Sequence, residues 1–135
     1  MSLAWNEEYA VGIPRIDEHH RELFRCVGVL HEALMAGRPD GEVTRLLDFL
    51  ADYTEYHFRE EEELMAEHGY AFLPQHRAEH QSLVHQISSW KKGRAEGRLS
   101  LTLQVAYSLA EWLRGHVLGS DRAFARTIFG HRRAA

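Results

Sequence analysis

Apolar positions along the chain recur at three- and four-residue spacing in four blocks, the pattern of helices that bury one face. In the first block His20, Leu23, Phe24, Val27, Leu30 and Leu34 share a stripe, with Asp17 placed as an N-cap and Gly37 at the end. Arg38-Pro39-Asp40-Gly41 is turn chemistry. A second block runs from about Glu42 to Gly69 as its C′ residue, its stripe passing through Val43, Leu46, Leu50, Thr54, His57, Glu61, Leu64, Met65 and His68. The third opens at Pro74, carries His76, His80, Leu83, Val84, Ile87 and Trp90, and weakens at Gly93 and Gly97. Ser100 suits the N-cap of the fourth, whose stripe is Leu103, Ala106, Leu109, Leu113 and His116. Ahead of all four lies an arm over residues 1–16, interrupted by Gly12 and Pro14, with Trp5, Tyr9, Val11 and Ile13 to lay on a neighbour. No stretch alternates with period two, so no strand is expected. The pattern predicts an all-α chain: an antiparallel up-down-up-down four-helix bundle with an N-terminal arm and a short C-terminal helix, one domain over 1–135.

Composition narrows the function. A chain of 135 residues suffices for a core without staples. A formal charge of -4 speaks against nucleic-acid binding, which needs a basic excess. There is no run of eighteen apolar residues to span a membrane, and the first residues lack the basic and apolar regions of an export signal. A cytoplasmic protein is expected. The single cysteine, Cys26, cannot form an internal disulfide; it lies off the core stripe and reads as a bystander thiol. Histidine stands out, with ten copies unevenly placed.

Several of those histidines sit where leucine would be expected. His57 and Glu61, four residues apart, lie about 40° from each other on one helix face. Burying such a pair is costly unless each group has a partner. The inward stripes together offer His20, His57, Glu61, His76, His80 and His116, with Asp121 beyond. That exceeds what one ion needs, and two six-coordinate metals sharing bridging carboxylates would use all seven, at the 3.5–4 Å spacing typical of two-metal sites. His19 is rotated a further 100° from the stripe and reads as solvated, and Glu60 falls to the flank of Glu61. His31, His68, His85 and His131 have no paired donor and read as surface or rim residues. One spacing resists: five residues on a regular helix turn through about 140°, so His116 and Asp121 cannot share a face. A break of the helix at Gly119, swinging Asp121 back, is the expected solution, with a short helix after it burying Phe124 and Ile128.

This constellation resembles the hemerythrins, in particular the single-domain bacterial kind. The matching pattern is a lone His20, then His57 with Glu61, then His76 with His80, then His116 with Asp121. Flanking residues agree: Ile16-Asp17-Glu18, Glu61-Glu62 followed by Leu64-Met65, Trp112-Leu113, and the run Trp5, Tyr9, Gly12-Ile13. The likeness extends over residues 5–129; Ala71 after Tyr70 and His19 depart from the usual residues. The resemblance implies two non-haem iron ions with an oxo or hydroxo bridge. His76, His80 and His116 would hold one, His20 and His57 the other, and Glu61 and Asp121 would bridge.

Reversible dioxygen binding at an open position on the two-histidine iron is the function so implied, without enzymatic turnover. Leu23, Phe58, Leu113 and Val117 are expected to wall that position. Histidine-rich ligation leaves a diferrous pair with net positive charge, whereas carboxylate-rich di-iron sites are neutral, which favours binding over oxidation. Other readings are an oxygen or redox sensor acting through a protein partner, a scavenger of peroxide or nitric oxide, an iron store, and a zinc-bound structural bundle. Dioxygen is the expected small-molecule partner, and a monomer the expected state.

Overall fold

A computed structural model describes residues 4–96 and 103–134, the side chains of 103, 104 and 129–134 excepted. Four long helices form the bundle: α1 (Pro14–Met35), α2 (Asp40–Glu67), α3 (Leu73–Ala95) and α4 (Leu103–His116). A π-helical turn, Val117–Asp121, joins α4 directly to α5 (Arg122–Ala134). Helix α1 packs on α2 and α4, and α2 on α3. The core between them contains Leu23, Phe24, Val27, Leu30, Val43, Leu47, Leu50, Leu83, Ile87, Leu109 and Leu113.

Two glycines fix the tight connections. Gly37 and Gly69 adopt φ of 64° and 60°, a region open to glycine but costly for side-chain-bearing residues. After α1, Arg38 N–H reaches Ala33 C=O at 3.0 Å and Gly37 N–H reaches Leu34 C=O at 3.2 Å; after α2, Tyr70 N–H reaches Met65 C=O at 3.0 Å. These bonds satisfy carbonyls that a helix end would otherwise leave bare. Pro74 sits in the first turn of α3, where its missing N–H costs nothing.

Helix α1 begins three residues before the predicted cap, so the arm is shorter than 1–16. Ile13 is the N-cap residue and makes no side-chain cap bond. The Asp17 carboxylate instead accepts from the backbone of the arm, from Val11 N–H at 2.8 Å and Gly12 N–H at 3.2 Å. The arm itself is well anchored. A 3₁₀ turn, Glu7–Tyr9, is capped by the Asn6 side chain. Tyr9 stacks on Phe24 with ring centroids 5.0 Å apart and accepts from Arg114 Nε at 2.9 Å. Arg21 lies over the Trp5 ring, 4.3 Å from its centroid, and Arg122 donates to the Glu8 carbonyl.

Two further expectations need correction. Cys26 is buried, 7% exposed, and burial pushes its thiol up to about 11. It is a core residue because packing on the flank of α1 that faces Tyr53 of α2 broadens the covered face beyond its central stripe. The chain also does not break at Gly119. An α-carbon substituent there would meet nothing within 4 Å, and its φ is not in the left-handed region, so glycine is not what makes the turn. Arg122 N–H bonds the Val117 carbonyl five residues back, and one widened turn carries the helix onward. Phe124 on α5 is fully buried, and Ile128 is half-buried. The expected cap at Ser100 lies outside the described residues.

Candidate metal centre

Helices α1 to α4 and the π turn each deliver polar side chains to one point in the core. His20 comes from α1, His57 and Glu61 from α2, His76 and His80 from α3, His116 from the end of α4, and Asp121 from the π turn. All seven are at most 6% exposed. The π turn is what admits the last of them. Winding one extra residue into the turn cancels much of the 140° offset and brings Asp121 Oδ1 to 3.1 Å from His116 Nε2.

The carboxylate oxygens are divided between two groups of histidines. Glu61 Oε1 faces His76 Nε2 at 2.7 Å and His80 Nε2 at 3.1 Å, with His116 Nε2 at 3.9 Å. Glu61 Oε2 faces His57 Nε2 at 3.3 Å and His20 Nε2 at 3.6 Å. Asp121 repeats the division: Oδ1 lies 2.9 Å from His76 Nε2 and 3.1 Å from His116 Nε2, while Oδ2 lies 3.1 Å from His20 Nε2. Two overlapping clusters result, Glu61, His76, His80, His116 and Asp121 on one side, His20, His57, Glu61 and Asp121 on the other. Within each, the ligand atoms lie within 4.8 Å of one another.

A metal pair fits these residues on the chemistry of the orphaned atoms. His20 Nε2, Glu61 Oε2 and both Asp121 oxygens are buried without a hydrogen-bond partner, although His20 Nε2 and Asp121 Oδ2 are only 3.1 Å apart. Short contacts that fail as hydrogen bonds are expected when lone pairs point at shared centres rather than at each other. Leaving such groups unsatisfied in a core is costly, and cations at the two centres would satisfy them.

Electrostatics in the metal-free site follow the same layout. Burial alone would lower the histidines, but the facing Asp121 and Glu61 carboxylates outweigh it and raise His20 and His76 to about 9 and His116 to about 10. Burial likewise works against the carboxylates, yet the surrounding imidazoles hold Glu61 and Asp121 well below the usual range. His57 goes the other way, lowered mainly by burial.

Around the seven lie residues of two kinds. Leu23, Phe58, Leu113 and Val117 are all buried. The Phe58 ring stacks on His80, with centroids 3.7 Å apart and planes 2° from parallel, and is 5.7 Å from His57. It therefore lies closer to the three-histidine cluster than expected. Polar side chains that the sequence did not reveal stand beside two of the outer nitrogens. His80 Nδ1 is 2.8 Å from Glu62 Oε2, and Arg77 Nε donates to Glu62 Oε1 at 2.8 Å. His116 Nδ1 faces Glu79 Oε1 at 3.5 Å, and Trp112 stacks on the His116 ring at 4.5 Å.

His19, read as solvated, is 7% exposed, with its Nδ1 3.0 Å from His57 Nδ1. Its offset of 100° from His20 points it into the seam between α1 and α2, where Tyr53 and Tyr56 cover it. The i, i+38 pairing with His57 leaves no periodic trace. Glu60 pairs with Arg15 at 2.5 Å near the surface. His31 meets Tyr107 Oη at 3.3 Å, His85 is exposed, and His68 closes α2 with Nδ1 2.9 Å from Leu64 C=O.

Residues 11–128 match the family model of the hemerythrin HHE cation binding domain. The bacteriohemerythrin of Stenotrophomonas maltophilia (strain R551-3) is 30% identical over 129 residues, 96% of this chain and 83% of that one. A bacteriohemerythrin of Clostridium acetobutylicum is 29% identical over 124 residues, covering 89% and 96%, and the myohemerythrin of Riftia pachyptila is 27% identical over 117. A crystal structure of wild-type hemerythrin superposes with a TM-score of 0.86 at 28% identity, covering 93% of this chain and 95% of that one. The chain belongs to the hemerythrin family, as an all-α four-helix bundle with a buried cluster of histidines and carboxylates able to hold metal. No helix among the described residues is long and apolar enough to cross a membrane.

Proposed function

We propose that this protein holds two non-haem iron ions and binds dioxygen reversibly, as a carrier or store rather than an enzyme, and that it acts as a cytoplasmic monomer. One observation carries the reading: Glu61 and Asp121 each turn one oxygen to the His76, His80 and His116 side and the other toward His20. Carboxylates divided in this way suit a bridged pair of ions. His76, His80 and His116 would hold one iron, His20 and His57 the other, and Glu61 and Asp121 would join them beside an oxo or hydroxo bridge. When bound, the iron pair would supply the chemistry of reversible dioxygen binding, on the side of His20 and His57.

The protein's part is to fix the ligands and keep the centre dry. Five helical segments hold the donors. Leu23, Leu113 and Val117, each at most 3% exposed, would exclude water and small anions from the open side. Phe58, stacked on His80, would close the opposite flank.

The test is an optical titration. Protein loaded with iron and reduced without oxygen should be nearly colourless, develop a visible charge-transfer band on exposure to air, and lose it again under vacuum. Metal analysis should give two irons per chain. One ion per chain, or a band that appears once and does not reverse, would overturn reversible dioxygen binding at a di-iron centre.

A further inference from the structure

The outer partners of the histidines differ in charge on the two sides of the centre. On the side of His76, His80 and His116, the outer nitrogen of His80 meets the Glu62 carboxylate at 2.8 Å, while that of His116 lies 3.5 Å from Glu79 without a hydrogen bond. On the other side, the outer nitrogen of His20 is buried without a partner, and that of His57 meets a second imidazole, His19. We propose that His19 is a positioning residue for the iron centre. Through the Nδ1–Nδ1 hydrogen bond it fixes the tautomer and ring orientation of His57 while keeping that side free of an outer anion.

The contacts of His57 decide where its proton sits. His57 turns Nε2 toward Glu61 Oε2, at 3.3 Å, so Nε2 must carry a free lone pair to bind metal. A neutral imidazole then has its proton on Nδ1. Among the described residues that atom's hydrogen-bond partner is His19 Nδ1, 3.0 Å away, and two ring nitrogens at that distance need one proton between them. His57 donates and His19 accepts, which places the His19 proton on its own Nε2. The rings stand at 83° to each other, and His19 is fixed in turn by Tyr53 and Tyr56, with ring centroids 5.9 and 5.4 Å away. His19 is thus held as an acceptor in a buried seam. An outer carboxylate makes a ligating histidine more basic, and an imidazole does so less. An ion held by His57 would therefore have a weaker donor there than an ion held by His80.

This inference rests on the di-iron reading above, and the experiment separates the two. In wild-type protein loaded with diamagnetic zinc, nitrogen-15 correlation spectra should show His57 protonated at Nδ1 and His19 at Nε2. The reverse assignment would overturn the proposal without any mutation. Next, metal binding is measured against a chelator for wild type, His19→Phe, His19→Gln and His19→Glu, with helicity of the metal-free forms as a folding check. His19→Phe keeps a ring but no acceptor, and should weaken the second equivalent of metal about 10- to 100-fold. His19→Gln supplies an acceptor oxygen and should restore most of that loss. His19→Glu should bind at least as tightly as wild type and shift the charge-transfer band of the iron form. Equal binding by wild type and His19→Phe, or equal damage in Phe and Gln, would leave only a packing role and defeat the proposal. A wild type that binds fewer than two ions would instead defeat the di-iron reading.

Discussion

His116 Nε2 and Asp121 Oδ1 lie 3.1 Å apart although five residues separate them in one continuous helical path. The π turn, not a glycine break, makes that possible. Gly119 is exposed, and a Cβ there would touch nothing within 4 Å. Gly119→Ala should therefore keep the full complement of metal and raise stability by about 0.5–1 kcal/mol, because alanine loses less backbone freedom on folding. Calorimetry and metal analysis check this. Loss of metal in Gly119→Ala would show that the turn needs glycine after all.

Removing metal should weaken the fold markedly. Five histidines and two carboxylates would be left facing one another in the core, with several atoms unsatisfied. Ions bound only by the folded state contribute about 4 kcal/mol at a free concentration a thousand times Kd, enough to move Tm by about 15 °C in a chain of this size. Thermal scans with and without chelator measure the shift. Coincident melting curves would mean that the cluster does not bind metal in solution.

From neutral pH upward, metal affinity and metal-free stability should move in opposite directions. His20 and His76 are raised from 6.5 to about 9 and His116 to about 10 in the metal-free fold. A raised histidine gives its stabilisation in full below 6.5 and loses it as pH climbs through 9 to 10, since only the folded state keeps the proton across that interval. The metal-free protein should accordingly lose stability from neutral pH upward. It should also lose stability as pH falls through the carboxylate range, because Glu61 and Asp121 are depressed. Metal must displace the histidine protons, so apparent affinity should rise from pH 6.5 to 9 with measurable proton release. Chelator competition and calorimetry in buffers of different ionisation enthalpy test both halves, and a pH-independent affinity would contradict the protonated cluster.

Leu113→Ala should separate stability from oxygen chemistry. Leu113 is 3% exposed in the core, and its truncation should cost about 2–5 kcal/mol. If it walls the open position, the oxygenated iron form should also autoxidise several-fold faster, with iron content unchanged. Leu30→Ala is the control, since Leu30 is as deeply buried but lies ten residues along α1 from His20, about 15 Å. Trp112 cannot serve as one, because its ring stacks on His116. Equal autoxidation in both leucine variants would place the wall elsewhere.

Local sequence was enough for the bundle, its two tight connections and six polar residues on inward faces, Asp121 lying off any stripe. Each of these rests on local information: a three-four apolar repeat, a glycine after the last periodic residue, and histidines where leucine would otherwise stand. Tertiary structure alone decided how the residues meet. Which oxygen of Glu61 faces which histidine depends on the mutual rotation of four helices, and no period in the chain encodes that. His19 shows the limit most clearly. Its position one residue from His20 reads as solvent-facing on an isolated helix, but α2 packs against that flank and brings His57 to within 3.0 Å. Cys26 became a core residue in the same way. The π turn was legible only as a conflict, five residues where a helix wants four, and the conflict was resolved by backbone geometry rather than by the glycine in its middle.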